Sequence, residues 1–176
     1  MKISLVTVTY NSQNTIRDTI ESVLRQDYDN IEYIIIDGDS TDGTMGIVGE
    51  YSGRIAHVVS EKDNGIYEAM NKGIKLATGD YVGILNSDDF FSSDDVVSKM
   101  VAFLNENRCD AVYGDVHYGD YHFHLIDTGG IDLGNENHIF GNLPKYFKKH
   151  ETLNLSQLDI LLNSTWDDYD GFLCIL

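Results

Sequence analysis

The chain has 176 residues, of which 42% are hydrophobic and 11% aromatic, a composition that suits one packed domain and not a disordered segment. Its formal net charge is -17, from 12 basic and 29 acidic residues, which argues against nucleic acid as a partner and against spontaneous docking on anionic lipid. The two cysteines, Cys109 and Cys174, lie far apart, so neither a structural zinc site nor a disulfide framework is indicated.

The N-terminus leads directly into a predicted strand, and its apolar run is too short for a secretory signal. No apolar stretch of the sequence approaches the about 20 residues that a transmembrane helix needs. The sequence therefore predicts a soluble cytoplasmic protein without a transmembrane segment. Peripheral association with the inner face of a membrane is compatible with that prediction.

Short apolar runs and helical patterns alternate along the first part of the chain. The runs predict strands at residues 3–8, 31–36, 56–59, 81–85 and 111–113. Apolar residues at helical spacing predict helices between them, which begin near Asn14, Thr44, Ile66, and Ser92 or Ser93. This order predicts an α/β fold with a mostly parallel central sheet and helices on both faces.

The alternating pattern decays after about residue 115. Residues 116–126 fit a hairpin, residues 145–150 form a basic cluster, and residues 153–162 fit a short helix. We therefore divide the chain into a core, residues 1–116, and a divergent or incomplete region, residues 117–176. His122 and His124 would share one strand face, but without a third ligand nearby they are more simply surface histidines than a metal site.

Polar side chains follow the carboxyl ends of the first four predicted strands, where ligands gather in parallel sheets. They are Thr9, Tyr10 and Asn11, then Asp37 and Asp39, then Glu61 and Asp63, and then Asp88 and Asp89. The opposite strand ends carry ordinary turns. This asymmetry indicates a binding site at the carboxyl edge of the sheet.

The adjacent carboxylates Asp88 and Asp89 point to a metal. Two neighbouring acids repel each other, whereas Mg²⁺ and Mn²⁺ prefer hard oxygen ligands and often use one or two protein carboxylates plus substrate phosphates. The alternative is an acidic loop that caps the next helix. Neither GxGxxG after the first strand nor GxxxxGK[ST] is present, so phosphate binding would depend on a metal and not on a glycine-rich loop.

Four segments of the chain resemble family-2 glycosyltransferases, which have the GT-A fold, a Rossmann-like nucleotide-sugar-binding fold. They are residues 3–11 (ISLVTVTYN), 34–44 (IIIDGDSTDGT), 63–74 (DNGIYEAMNKGI) and 85–89 (LNSDD). They occur in the family's order and spacing and cover roughly residues 1–116. The resemblance implies that these residues form a nucleotide-sugar-binding core.

The resemblance also implies roles for single residues on the nucleotide side. Asp37 would accept hydrogen bonds from the base of the donor, most often uracil. The backbone around Thr9 and Tyr10 would line the base pocket. Asp63 and Asn71 fall where the third loop and helix of the family approach the nucleotide.

Asp88 and Asp89 match the DXD-type metal site of the family, which implies Mn²⁺ or Mg²⁺ as cofactor and contact of Asp88 with the nucleotide. Asn86 replaces the first Asp of the commoner form, so either Asp88 or Asp89 would be the direct ligand. The catalytic base of the family lies in a later acidic motif. Residues 166–173 (WDDYDGFL) resemble that motif, and Asp168 is the candidate base. Gly171 is a poor start for the apolar helix that follows it in the family.

The resemblance implies metal-dependent transfer of a sugar, with inversion, from a nucleotide-diphosphate donor to an acceptor hydroxyl. The donor is expected to be a UDP-sugar and the acceptor a saccharide or a lipid-linked saccharide, in the synthesis of bacterial surface polysaccharide. Two alternatives are a non-catalytic nucleotide-sugar-binding remnant that lacks its acceptor half, and a nucleotidyltransferase. A basic, glycine-rich phosphate loop after the first strand would favour the nucleotidyltransferase, and residues 9–12 (TYNS) do not provide one.

Overall fold

The computed structural model describes residues 1–107, 111–113, 126–127 and 173–175. Its helices are α1 (Ile16–Leu24), α2 (Thr44–Glu50), α3 (Ile66–Leu76) and α4 (Val96–Asn107). Its strands are β1 (Ile3–Thr9), β2 (Ile31–Asp37), β3 (His57–Ser60), β4 (Tyr81–Ile84), β5 (Ala111–Tyr113), β6 (Ile126–Asp127) and β7 (Leu173–Ile175). None of the helices in the described residues has the length and hydrophobicity of a membrane span.

The strands form one sheet in the order β3-β2-β1-β4-β7-β5-β6. The first four of that order are mutually parallel, and Thr9 at the end of β1 lies opposite Asp37 at the end of β2. β7 pairs antiparallel with both β4 and β5. The mostly parallel α/β sheet predicted from the sequence is confirmed. It brings the ends of the first four strands to one edge.

Alternate residues of the parallel strands face opposite layers, as the period of two along a strand requires. On one face, Leu5 and Ile35 pack with buried residues of α1, α2 and α4. On the other face, Val6 and Ile36 pack with buried residues of α3. Helices therefore cover both faces of the parallel strands, as predicted, and bury the continuous apolar runs on both sides.

The amino edge of the parallel strands is held by the buried carboxylate of Glu32. It accepts hydrogen bonds from Lys2 Nζ (2.6 Å), Ser4 Oγ (2.6 Å), and both the backbone N–H (2.8 Å) and the hydroxyl (2.7 Å) of Thr78. Burial acts to raise the pKa of Glu32, but these hydrogen bonds outweigh burial and lower the pKa to about 2. The amino edge is thus closed by internal contacts, whereas the polar side chains at the carboxyl edge point to a ligand site.

Two elements differ from the prediction. A turn in which Ser12 O accepts hydrogen bonds from the backbone of Thr15 (3.1 Å) and Ile16 (3.0 Å) precedes α1, so α1 begins at Ile16 and not near Asn14. After Gly171, where the family motif continues into a helix and where the sequence predicts no strand, the strand β7 joins the sheet.

Candidate nucleotide and metal site

Asp37 ends β2 and is fully buried. Its Oδ1 accepts a hydrogen bond from the Ser40 hydroxyl (2.5 Å). Its Oδ2 accepts hydrogen bonds from the Ser40 N–H (3.0 Å) and from the Ser60 hydroxyl at the end of β3 (2.6 Å). The carboxylate therefore fixes the turn that follows β2 and joins it to the neighbouring strand.

Gly38 lies beneath two of the predicted nucleotide-binding side chains. A Cβ placed on Gly38 would lie 3.1 Å from Asp63 Oδ2 and 3.3 Å from Tyr10 Cδ2. The Gly38 N–H donates to Thr9 O (2.9 Å), which holds this backbone against the end of β1. Thr9, Tyr10, Asp37 and Asp63 are thus brought together at the carboxyl edge, and Tyr10 is 64% exposed, so a ligand could reach it.

Asp63 is oriented by the loop that starts α3. Its Oδ1 accepts a hydrogen bond from the Gly65 N–H (3.0 Å), and Gly65 has a φ of 122°, a value that favours glycine. Asn71 lies partly exposed in α3. Within the described residues, Asn71 makes no hydrogen bond to the side chains around Asp37.

The acidic loop after β4 is a tight turn in which the Asp89 N–H donates to Asn86 O (3.1 Å). Asp88 is exposed and Asp89 is partly buried. Asn86 Oδ1 is buried and has no hydrogen-bond partner among the described residues, and the same is true of Thr9 Oγ1 at the end of the adjacent strand. Buried polar atoms are normally satisfied, so the partners of these two oxygens lie in a ligand or outside the described residues.

These oxygen donors fit a hard divalent cation. Asn86 Oδ1 and the carboxylates of Asp88 and Asp89 are the ligand types that Mg²⁺ and Mn²⁺ prefer. In the described part of the chain no three His, Cys, Asp or Glu side chains form a group that could hold a metal. A cation bound here would therefore depend on non-protein ligands such as phosphate oxygens as well as on this loop.

The loop between β1 and α1 contacts both of its neighbours. Toward the β2–α2 loop, the Asn11 N–H donates to Ser40 Oγ (2.8 Å) and the Ser12 N–H donates to Thr44 Oγ1 (2.8 Å). Toward the acidic loop, the Ser12 and Ser87 hydroxyls share a hydrogen bond of 2.8 Å. β1 is the strand between β2 and β4, so the two flanking loops lie two strand spacings apart, about 10 Å.

Asp42 has a structural role. Its Oδ1 accepts hydrogen bonds from the Thr44 hydroxyl (2.5 Å) and the Thr44 N–H (2.9 Å), and its Oδ2 accepts one from the Gln13 N–H (3.1 Å). The Thr44 hydroxyl is the main reason that the pKa of Asp42 lies below its ordinary value. Asp42 therefore joins the start of α2 to the β1–α1 loop.

Comparison with known proteins gives the family. A family model described as "Glycosyl transferase family 2" matches residues 4–158, more than half of the chain. The chain belongs to glycosyl transferase family 2. The resemblance of the four sequence segments to this family is thereby confirmed.

Curated glycosyltransferases and solved glycosyltransferase structures are similar to about three fifths of this chain. TuaG of Bacillus subtilis (strain 168), a glycosyltransferase named for teichuronic acid biosynthesis, is 39% identical over 110 residues, which are 61% of this chain and 43% of TuaG. S. aureus TarS 1-349 in complex with UDP-GlcNAc has a TM-score of 0.59 and 30% identity, over 63% of this chain and 33% of TarS 1-349. The mannosyltransferase PcManGT from Pyrobaculum calidifontis, in complex with GDP-Man and Mn²⁺, has a TM-score of 0.58 and 26% identity, over 62% of this chain and 34% of PcManGT.

The chain spans less than half the length of the curated family members it matches. Asp168, the candidate base, lies outside the described residues, as do His122 and His124. The structure gives no contacts for these three side chains.

Sequence reasoning missed the serines and the glycine that build the site. Ser40 follows Asp37 at the spacing of a side-chain-to-backbone turn, which is a signal that a local search could find. Ser60 ends the strand next to Asp37, and Gly38 lies under Tyr10 and Asp63. Ser12 and Ser87 are far apart in the chain and meet only because β1 and β4 are neighbours.

Proposed function

We propose that this protein is a metal-dependent glycosyltransferase of the cytoplasm. It transfers a sugar from a nucleotide-diphosphate donor to an acceptor hydroxyl with inversion, in the synthesis of a bacterial surface polysaccharide. The observation that carries the proposal is the carboxyl edge of the sheet. There, Tyr10 and Asp63 lie over Gly38, and the acidic loop with Asp88 and Asp89 follows β4, two strands from β2.

The nucleotide base is assigned to the side of β1 and β2. The exposed Tyr10 ring offers a flat apolar surface for stacking, and the Asp63 and Asp37 carboxylates offer acceptors for the N–H groups of a base. Asp37 is fully buried, so its first effect is to hold the turn at Gly38 in place. The UDP-GlcNAc complex of TarS supports a UDP-sugar as the donor.

The diphosphate is assigned to the acidic loop. Asp88 and Asp89, with the Asn86 amide oxygen, would hold Mn²⁺ or Mg²⁺, and the Mn²⁺ complex of PcManGT supports this cofactor. Such a cation supplies charge neutralisation for a diphosphate leaving group. Without it, the acidic loop would repel the donor. Asp88 and Asp89 therefore serve here as cation ligands, and Asp88 contacts the nucleotide through the cation.

The acceptor side is assigned to residues 117–176, with Asp168 as the base that takes the proton of the acceptor hydroxyl while that oxygen attacks the anomeric carbon. This assignment is based on the sequence resemblance of residues 166–173. The acceptor is a saccharide or a lipid-linked saccharide. Holding donor and acceptor together supplies part of the rate acceleration.

A thermal-shift panel of UDP-, GDP- and TDP-sugars, with and without Mn²⁺, tests this function. A ligand at 100 times its dissociation constant adds about 2.7 kcal/mol to stability, so a true donor should give a clear Mn²⁺-dependent rise in melting temperature. The Asp88→Asn/Asp89→Asn variant should lose that rise. A flat response of the wild type across the panel would refute the proposal.

A second candidate is a nucleotide-sugar-binding remnant without transferase activity, because the donor-side residues and the candidate base Asp168 lie in different parts of the chain. The two candidates differ in chemistry and not in donor binding. Metal-dependent donor binding with neither sugar transfer nor donor hydrolysis would favour the remnant. The transferase is favoured if the wild type releases UDP from the donor and the Asp168→Asn variant does not, while both bind the donor with the same affinity.

A further inference from the structure

The hydroxyl pair formed by Ser12 and Ser87 joins the two halves of the candidate site. Their Oγ atoms lie 2.8 Å apart, and the bond links the β1–α1 loop to the acidic loop after β4. Ser87 is only 7% exposed and directly precedes Asp88, so a shift of Ser87 displaces the carboxylates that follow it. Ser12 directly follows Asn11 in the loop that begins with Tyr10.

The pair is one step in a continuous chain of hydrogen bonds across the site. Asp37 accepts from Ser40, and Ser40 Oγ accepts from the Asn11 N–H. The next residue, Ser12, bonds to Ser87. The groups that surround the proposed base subsite are thereby connected to the acidic loop through three hydrogen bonds and the peptide bond between Asn11 and Ser12.

Each loop is also attached to the fold independently of this pair. The acidic loop is held by Thr19 Oγ1, which donates to Ser87 O (3.0 Å), and by the Leu85 N–H, which donates to Val6 O (3.0 Å). The β1–α1 loop is held by the bond from the Ser12 N–H to Thr44. Removing the Ser87 hydroxyl should leave both loops in place but break the direct link between them. Removing the Ser12 hydroxyl breaks the same link and also a longer bond within its own loop, to Tyr10 O (3.3 Å).

We propose that Ser12 and Ser87 are positioning residues that couple nucleotide binding at one end of the site to cation binding at the other. The inference rests on the proposed function, because it needs a nucleotide diphosphate and a divalent cation in this site. Coupling means that the cation increases the affinity for the nucleotide, and the nucleotide increases the affinity for the cation by the same factor. The hydroxyl pair keeps the acidic loop in the position that allows the nucleotide and the cation to bind at once.

Isothermal titration calorimetry of UDP, in EDTA and in saturating Mn²⁺, measures the coupling factor as the ratio of the two dissociation constants. The variants are Ser12→Ala, Ser87→Ala and the double variant, with Ser98→Ala in α4 as a matched control. Each single variant should lower the coupling factor about 3- to 10-fold. The double variant should lower it no further than Ser12→Ala does, because Ser87→Ala breaks only the bond between the two hydroxyls, which Ser12→Ala has already removed.

Uridine separates positioning from general damage to the site. It carries the base without the phosphates, so its dissociation constant, from ligand-observed NMR, should stay within about twofold of wild type in all variants. Melting curves show whether each variant is folded. If Ser87→Ala does not fold, Ser12→Ala tests the same bond, because Ser12 is less buried than Ser87. Ser12→Thr, which keeps a hydroxyl, should recover most of the coupling.

Three results would overturn the inference. An unchanged coupling factor in both single variants would show that the bond carries no coupling. Additive losses in the double variant would show that the two hydroxyls act separately. If the wild type binds UDP with equal affinity in EDTA and in Mn²⁺, or does not bind UDP at all, the proposed function is refuted together with this inference.

Discussion

At the scale of single residues, Gly38 leaves the space in which Asp63 and Tyr10 meet. A Cβ at this position would lie 3.1 Å from Asp63 Oδ2 and 3.3 Å from Tyr10 Cδ2, closer than most real contacts, and Gly38 does not have the left-handed φ that would strain alanine. Gly38→Ala should therefore displace both side chains and weaken UDP binding about 10-fold, or about 1.4 kcal/mol. The free energy of unfolding should change by less than about 1 kcal/mol.

Calorimetry measures the affinity of the variant for UDP, and urea unfolding of the same samples measures its free energy of unfolding. Gly53→Ala is the matched control, because a Cβ there has no atom within 4 Å, and it should leave UDP affinity unchanged. Equal UDP affinity in wild type and Gly38→Ala would mean that Asp63 and Tyr10 do not contact the nucleotide in the geometry described.

Glu32 gives a pH-dependent prediction on stability. Hydrogen bonds hold its folded-state pKa at about 2, below its ordinary 4.5, so its ionised form stabilises the fold fully above about pH 4.5. That contribution is lost as the pH falls from about 4.5 toward 2. Glu32→Gln should be less stable than wild type by about 2 kcal/mol near neutral pH, because the charge-assisted hydrogen bonds are gone.

Urea unfolding near pH 7 and about pH 3 measures the effect of Glu32→Gln. The difference from wild type should shrink at the lower pH, because the wild type then begins to lose the same charge. The exposed Glu106→Gln variant should match wild type within about 0.5 kcal/mol at both pH values. A gap for Glu32→Gln that grows at low pH would contradict the prediction.

At the scale of elements, the contact of α3 with β1 requires a glycine. A Cβ on Gly73 would overlap Val6 Cγ1, whereas one on Gly46, in α2, would meet no atom within 4 Å. Gly73→Ala should therefore destabilise the fold by about 1–3 kcal/mol through overpacking. Gly46→Ala should stabilise it by about 0.4–1 kcal/mol, because alanine restricts the unfolded chain and favours helix.

Urea unfolding compares the two alanine variants directly. Because α3 follows the Asp63 loop, Gly73→Ala should also weaken UDP binding, while Gly46→Ala should not. The prediction requires that the two changes in the free energy of unfolding have opposite signs. If both substitutions stabilise, the close approach of α3 to β1 is not required for the fold.

The sequence predicts those elements whose pattern of apolar residues depends on neighbouring positions in the chain. β1, β2 and α3 follow from continuous apolar runs and helical spacing, which depend on neighbouring residues alone. β7 was not predicted, because three apolar residues give no distinct period and form a strand only by pairing with β4 and β5. Tertiary contacts decide such short segments.

The same division applies to the candidate site. Asp37, Asp63 and Asp88 can be proposed as site residues from the sequence alone, because charged residues that follow predicted strands are visible there. The Ser12–Ser87 bond joins residues far apart in the chain, and it exists only because the order of the sheet places β1 beside β4. Positions of this kind need the strand order as well as the sequence.

At the scale of the whole molecule, net charge shapes how an anionic donor approaches. The chain carries a formal charge of -17, and its basic cluster at residues 145–150 falls outside the described core. A nucleotide diphosphate is repelled by this field unless a cation neutralises the acidic loop. The proposed metal therefore affects the approach of the donor as well as its binding.

Salt should affect the two ligands of the site differently. The Debye length falls from about 30 Å at 0.01 M to about 10 Å at 0.1 M, so added salt screens repulsion between the protein and UDP. In EDTA, UDP should then bind several-fold more tightly at about 0.1 M than at about 0.01 M salt, while Mn²⁺ should bind more weakly. Uridine, which is neutral, should bind equally at both, and calorimetry or ligand-observed NMR can follow all three. If UDP instead binds more weakly as salt rises, lysine or arginine side chains contact its phosphates, and residues 145–150 are the first to test by charge removal.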